Sequence, residues 1–174
     1  MGNVRKGQLS DLSELFDRYH LAIFNFFLKL TRDRQKSEDL TQNLFYRILR
    51  YRESYHDEKG SFKSWMYQMA RNIHLDHCKQ QKRISDIVKD SLSVCEHERA
   101  METAVYVEKD YEDLQVALGK LGPVDRELIL LSRFEGLKYH EISKIKNMSE
   151  GSIKVQIHRA IKQLKIFYFK QQNT

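Results

Sequence analysis

Proline is nearly absent from this chain. Its 174 residues include one proline, seven glycines and two cysteines. An all-β sandwich or barrel breaks for a turn about every 8–12 residues, and this composition does not supply the breakers. Cys78 and Cys95 cannot build a disulfide framework, and their spacing is not that of a zinc ribbon. No run of about 18 apolar residues occurs, which excludes a transmembrane helix. The start, Met1 to Gly7, turns polar and acidic by Asp11, so it lacks the apolar segment of a secretory signal. There is no phosphate-cradling glycine loop, no HExxH and no G-x-S-x-G, so catalysis of its own and a bound cofactor are not expected. With 31% charged residues and a mean hydropathy of −0.64, the expectation is a soluble, cytoplasmic protein without membrane insertion.

What is present is charge, unevenly placed. Residues 1–84 carry 16 Lys and Arg against 10 Asp and Glu, a net +6. Residues 85–113 carry 3 against 9, a net −6, and residues 114–174 carry 11 against 5, again +6. Two basic blocks joined by an acidic stretch suit two modules that meet a polyanion, and equally a basic protein with a solvated linker.

Both blocks read as helices, so the fold class is all-α: two small helical domains joined by a flexible acidic linker. Leu12, Leu15, Phe16, Tyr19, Ile23, Phe27 and Leu30 recur at helical spacing after Ser10, a candidate N-cap. A second helix is predicted from Ser37, burying Leu40, Leu44, Phe45 and Ile48. A turn spans Tyr55 to Ser61, and a third helix runs from Phe62 to about Gln81. Periodicity fades from Ile84 to Asp110, with a short helix possible on composition near Glu96–Val107. Further helices are predicted over Tyr111–Leu121, Pro123 to Gly136, Tyr139–Lys146 and Glu150 to about Phe169. Proline at a first helical turn and glycine beyond a last one mark the boundaries. The domain assignment is 8–84, linker 85–110, and 111–172.

Three constellations stand out. The last two helices form a helix–turn–helix, which lays its second helix in the major groove. There Ile153 and Ile157 are expected inside, with Lys154, Gln156, His158 and Arg159 outward and Lys162 extending the basic surface. Lysine and arginine donate to guanine edges or phosphates, and glutamine pairs with adenine. The same pattern also fits a plain helical hairpin with a wet basic face. Second, seven of the 19 aromatics fall between residues 45 and 67, among them Phe45, Tyr46, Tyr51, Tyr55, Phe62 and Trp65. Arg47, Arg50, Arg52, Lys59, Lys63 and Arg71 interleave with them. Exposed rings with neighbouring cations grip unpaired strands. Spacing assigns Phe45, Phe62 and Trp65 to the core and leaves Tyr51 and Tyr55 as stacking candidates. Third, Asp39, Gln42, Asn43 and Tyr46 share the polar face of the second helix, by itself an ordinary solvated face. His74, His77 and Cys78, at i, i+3 and i+4, could offer metal ligands, but no second cluster completes a tetrahedron.

In order, these parts resemble the extracytoplasmic-function type of bacterial RNA polymerase sigma factor. The first stretch is Asp39-Leu40-x-Gln42-x-Leu44-Phe45, then Phe62-x-x-Trp65-Met66-Tyr67-x-x-Ala70-Arg71-Asn72, ending in Lys82-Arg83, similar to region 2. The second is Leu121-Gly-Pro123-x-x-Arg126-Glu127-Leu128, then Phe134-Glu135-Gly136-Leu137-x-Tyr139-x-Glu141-Ile142, Gly151-Ser152-Ile153-Lys154 and His158-Arg159-Ala160, similar to region 4. The resemblance implies that Asp39, Gln42, Asn43 and Tyr46 dock on the clamp of the largest polymerase subunit. It implies that Tyr51, Tyr55, Lys59, Phe62, Lys63, Arg71 and Asn72 meet the −10 element, with one base flipped from the stack. Ser152, Lys154, Val155, Gln156, His158, Arg159 and Lys162 would read the −35 element. Region 4 would sit on the flap of the second subunit, the linker would thread toward the RNA exit path, and an anti-sigma factor is implied as partner. Asn43 departs from the family's usual acid, Val155-Gln156 from a small-polar and arginine pair, and Lys146-Asn147 from Leu-Gly.

The alternative reading is a stand-alone helix–turn–helix regulator of duplex DNA. It calls for a dimerisation helix or ligand domain, which the first 110 residues do not show. A metal-dependent nucleic-acid enzyme built on His74, His77 and Cys78 is a third class, testable by metal analysis.

Overall fold

A computed structural model describes residues 9–89 and 109–172. They form seven α-helices, a π-helical turn and two short 3-10 turns, with no strand among the described residues. The helices are α1 (Leu9–Thr31), α2 (Arg34–Arg50), α3 (Phe62–Lys89), α4 (Lys109–Lys120), α5 (Pro123–Ile129), α6 (Tyr139–Lys146) and α7 (Glu150–Gln172).

In the first block α1 packs along α2, and α2 along α3. The predicted stripes meet there: Ile23, Phe26, Phe27, Leu44, Ile48, Met66, Tyr67 and Ala70 are all buried to 1% exposure or less. Tyr67 adds an edge-on ring to Phe26, with centroids 5.2 Å apart. Several predicted ends move. Ser10 lies inside α1 and is not its N-cap. The α2 helix begins at Arg34, three residues before Ser37, because the Asp33 carboxylate accepts the Lys36 backbone N–H at 3.0 Å and caps it. The α3 helix continues past Gln81 to Lys89. The suggested helix at Glu96–Val107 lies outside the described residues.

In the second block α4, α5 and α6 all lie against α7. Leu118, Leu121, Ile129 and Ala160 form one buried group, while Leu128, Leu130, Leu131, Ile142, Ile153 and Ile157 join a cluster continuous with the first block's core. Pro123 opens α5, as expected. The helix predicted to run on to Gly136 instead changes winding: Leu130–Phe134 is π-helical, and the Glu135 N–H reaches back five residues to the Leu130 carbonyl at 2.9 Å. The widened turn re-aims Phe134 and Glu135 before Gly136, at φ +64, reverses the chain. Between α6 and α7, Asn147 takes the left-handed conformation at φ 52, which asparagine tolerates better than most residues.

Candidate nucleic-acid interface

The sequence-selected face of α2 is exposed: Asp39, Gln42, Asn43 and Tyr46 all face solvent, opposite Leu40, Leu44, Phe45 and Ile48. Tyr46 is 60% exposed, a large apolar ring left open beside three polar groups. The Asn43 Oδ1 accepts from Arg47 Nε at 3.1 Å, and Arg47 reaches Asp76 on α3 at 3.9 Å.

The aromatic–basic cluster divides. Tyr51 is exposed, with the Arg50 guanidinium 5.6 Å from its ring centre, and Lys59 and Asn72 are open to solvent. Tyr55 is not the exposed platform its place near the turn suggested. It is buried edge-on against Phe62 at 5.7 Å and beside Trp65 at 5.6 Å, its hydroxyl donating to the Gly60 carbonyl at 3.3 Å. The turn folds back under α3, and burying three rings outweighs leaving one in water. Phe62 is buried in the same group, in keeping with its core spacing. Lys63 is half-buried with its ammonium 5.9 Å from the Tyr67 ring, and Arg71 is held in an ion pair.

The final helix behaves largely as its periodicity predicted. The Ser149 hydroxyl accepts the Ser152 N–H at 3.2 Å and caps it. Ile153, Ile157 and Ala160 are buried, and Ser152, Lys154, Val155, His158, Arg159 and Lys162 face solvent. Gln156 is the exception: it is half-buried, and its Nε2 donates to Asp125 Oδ1 on α5 at 3.3 Å. That bond commits its donor and leaves Oε1 as the end with freedom to accept. Lys154, Arg159 and Lys162 are exposed cations on a helix that follows a tight turn, an arrangement suited to major-groove docking.

Among the described residues, no group of three or more His, Cys, Asp and Glu side chains converges as metal ligands do. The His74 Nε2 lies 3.6 Å from Cys78 Sγ. Burial lowers the His74 pKa and raises that of the Cys78 thiol. No described helix is long and apolar enough to cross a membrane.

One group of side chains whose mutual contact the sequence did not foretell lies where the two blocks meet. Glu127 is buried between Arg71 of α3 at 2.9 Å and Lys146 of α6 at 2.6 Å. The Arg71 contact lies off the hydrogen-bond axis, so it pairs charge without a directional bond. The Tyr67 hydroxyl donates to the buried Glu135 carboxylate, and Ser61 donates to Glu141. Burial pushes the Glu135 carboxyl up, although Tyr67, Lys63 and Lys29 pull the other way. Burial also pushes Glu141 up, but the Ser61 hydroxyl, the Lys138 N–H and nearby cations outweigh it and hold that carboxyl below the ordinary value. Arg126 spans the α4 end, its Nε donating to Leu118 O at 2.9 Å and its Nη2 to Gly119 O at 2.7 Å and Leu121 O at 3.1 Å. A carboxylate pattern spread over two helices and a π turn has no linear signature, which is why periodicity missed it.

Two family models match the chain: Sigma-70 region 2 over residues 15–84, and Sigma-70, region 4 over residues 111–164. The chain is 31% identical over 160 residues to the extracytoplasmic-function (ECF) RNA polymerase sigma factor SigM of Bacillus subtilis, covering 90% of this chain and 94% of that one. It is 28% identical to the ECF sigma factor SigE of Mycolicibacterium smegmatis, of whose length the match covers 61%. Among solved structures it is similar to the sigma factor RpoE of Bartonella quintana, crystallised with the anti-sigma factor NepR. That match has a TM-score of 0.75 and 25% identity, and covers 91% of this chain and 97% of RpoE. The fold also matches CnrH in complex with the cytosolic domain of CnrY, at a TM-score of 0.69 and 16% identity. With a region 2 and a region 4 in this order, and a relative matched along nearly its whole length, the chain belongs to the ECF sigma factors, which direct core RNA polymerase to specific promoters and promote initiation there.

Proposed function

We propose that this sigma factor divides its contacts among three surfaces and carries no chemistry of its own, working in the cytoplasm. The α2 face of Asp39, Gln42, Asn43 and Tyr46 docks on the clamp of the largest polymerase subunit, and region 4 sits on the flap of the second. The Tyr51–Lys59 turn and the α3 residues Lys63, Arg71 and Asn72 take the melted −10 strand. Tyr55 and Phe62 join them once the ring cluster loosens, their burial being a feature of the present arrangement. The exposed row of Ser152, Lys154, Val155, His158, Arg159 and Lys162 reads the −35 element, with Gln156 accepting through Oε1. An anti-sigma factor that covers these surfaces is the fitting antagonist, as NepR is crystallised with RpoE.

The observation that carries this reading is the pairing of an open polar–aromatic face on α2 with an open cationic row on α7, each backed by a buried stripe. Run-off transcription with bacterial core polymerase on randomised promoters tests it. Transcripts that require the protein would give both promoter elements at once. Asp39→Ala with Gln42→Ala should reduce co-migration with core while helicity is unchanged. Undiminished co-migration would overturn the docking assignment.

A further inference from the structure

Asp125 stands half-buried in the first turn of α5, a helix that packs directly on α7. An acid suits that end of the helix dipole, which accounts for its charge but not for its neighbour. Among the described residues Asp125 enters no ion pair. The group that meets its carboxylate is the amide of Gln156, with Nε2 donating to Oδ1 at 3.3 Å. That distance is at the long end for a hydrogen bond, so the pairing steers the amide more than it ties it down. A carboxylate ionised at neutral pH has no proton to give. It attracts the Nε2 end of the amide and repels the Oε1 end, so the two ways of placing a glutamine amide are not equivalent here. Gln156 is also half-buried, which leaves its stem less room to swing than exposed Lys154, Val155 and His158 have.

We propose that Asp125 is a specificity-determining positioning residue for the −35 contact. It holds the Gln156 amide with Oε1 outward, so that this position of the element is read for an amino-bearing base, adenine or cytosine, against guanine and thymine. The proposal rests on the assignment of Gln156 to the −35 element. In the major groove adenine presents its N6 amino group and cytosine its N4 amino group, both donors, whereas guanine presents O6 and thymine O4, both acceptors. Oε1 pairs with the first two and sets lone pair against lone pair with the others. An unrestrained glutamine would escape by turning its amide over and donating from Nε2. Asp125 opposes that escape, because the turned amide would put Oε1 against its carboxylate. The wrong base is then refused by repulsion as well as by a lost bond. Lys154, Arg159 and Lys162 can only donate, so an aimed acceptor adds a kind of reading that they cannot supply.

The experiment selects duplexes randomised over the −35 element with holoenzyme assembled from core polymerase and the full chain. Sequencing then gives the base preference at each position for the parent, Gln156→Ala, Asp125→Ala and Asp125→Asn, with circular dichroism to check folding. The position that Gln156 reads is the one whose preference disappears in Gln156→Ala. There the parent should favour adenine and cytosine over guanine and thymine by about tenfold, the scale of one good base contact. Asp125→Ala should lose most of that ratio while the preferences at other positions stay. Asp125→Asn keeps the side-chain volume but can either accept from Nε2 or donate to Oε1, so it should relax the same position without any change in packing. An unchanged ratio in both Asp125 variants overturns the proposal, and so does an even loss of affinity across all −35 sequences, which marks a structural role alone. If Gln156→Ala alters no position, the −35 assignment of Gln156 falls and the proposal with it. If Gln156→Ala does mark a position but the parent prefers guanine or thymine there, Gln156 reads DNA and only the role of Asp125 is overturned.

Discussion

Replacing Arg126 by alanine should destabilise region 4 by about 3–5 kcal/mol. Helices end with carbonyls that lack intrahelical donors, and α4 ends against the Leu121–Gly122 turn in a half-buried place. The Arg126 fork serves three carbonyls at this end, those of Leu118, Gly119 and Leu121, at 2.7–3.1 Å. A hydrogen bond from a charged donor contributes about 1.5–3 kcal/mol, so three would approach about 4.5–9 kcal/mol if the site were dry. Water reaches part of it, which brings the figure down to the lower range. Arg126→Lys keeps the charge but offers a point donor in place of a planar fork, and should recover no more than about a third of the loss.

Urea unfolding followed by circular dichroism reports both regions, and Trp65, the single tryptophan, reports region 2. The alanine variant should lower the dichroism midpoint more than the fluorescence midpoint. A loss below about 1 kcal/mol, or a lysine variant as stable as the parent, would refute the view that the fork holds α4 to α5.

Three further outcomes follow from the same contacts. Burial raises the Glu135 carboxyl, so the folded protein binds its proton more tightly than the unfolded chain; the contribution is full below the unfolded pKa and is lost as pH rises through the folded one. Denaturation from about pH 4 to about pH 8 should therefore show the parent losing stability relative to Glu135→Gln, and the opposite slope would contradict the cause. Asn147→Gly should stabilise by about 0.5–1 kcal/mol in thermal melts, because glycine adopts φ 52 without a Cβ penalty. Arg159→Ala should cost about 1–3 kcal/mol in holoenzyme binding to the selected −35 element, and an unchanged footprint would remove it from base reading.

Much of this was legible in the sequence because it depends on period. The stripes of α2 and α7 each bury as one face, that of α1 does so at Leu15, Ile23 and Phe27 but leaves Phe16 45% exposed, and Pro123 and the Tyr139–Lys146 helix stand where residue chemistry put them. Tyr55 escaped because its fate depends on a turn that brings three rings together, a matter of geometry that spacing does not encode. Gln156 escaped similarly: its position on α7 points half outward, and only the approach of α5 supplies Asp125. The π turn at Leu130–Phe134 escaped because an apolar run reads alike whether each N–H reaches back four residues or five.

The departures from local rules are not scattered. Arg32 sits at φ 56 in a place where glycine is easier, and its guanidinium meets Gly119 across the two regions. The π turn spends helical regularity to aim Phe134 at Lys29 and Glu135 at Tyr67. Glu127 and Glu135 are buried acids, costly unless partnered, and each finds a partner in region 2. Each of these features disfavours the chain taken locally and is answered at least in part by contact between regions 2 and 4, Glu127 being paired also with Lys146 of its own region. Local choices that conflict with propensity persist where a larger arrangement depends on them. That arrangement is the packing of one region on the other, held from the region 2 side by Lys29 and Arg32 at the end of α1 and by Tyr67 and Arg71 of α3.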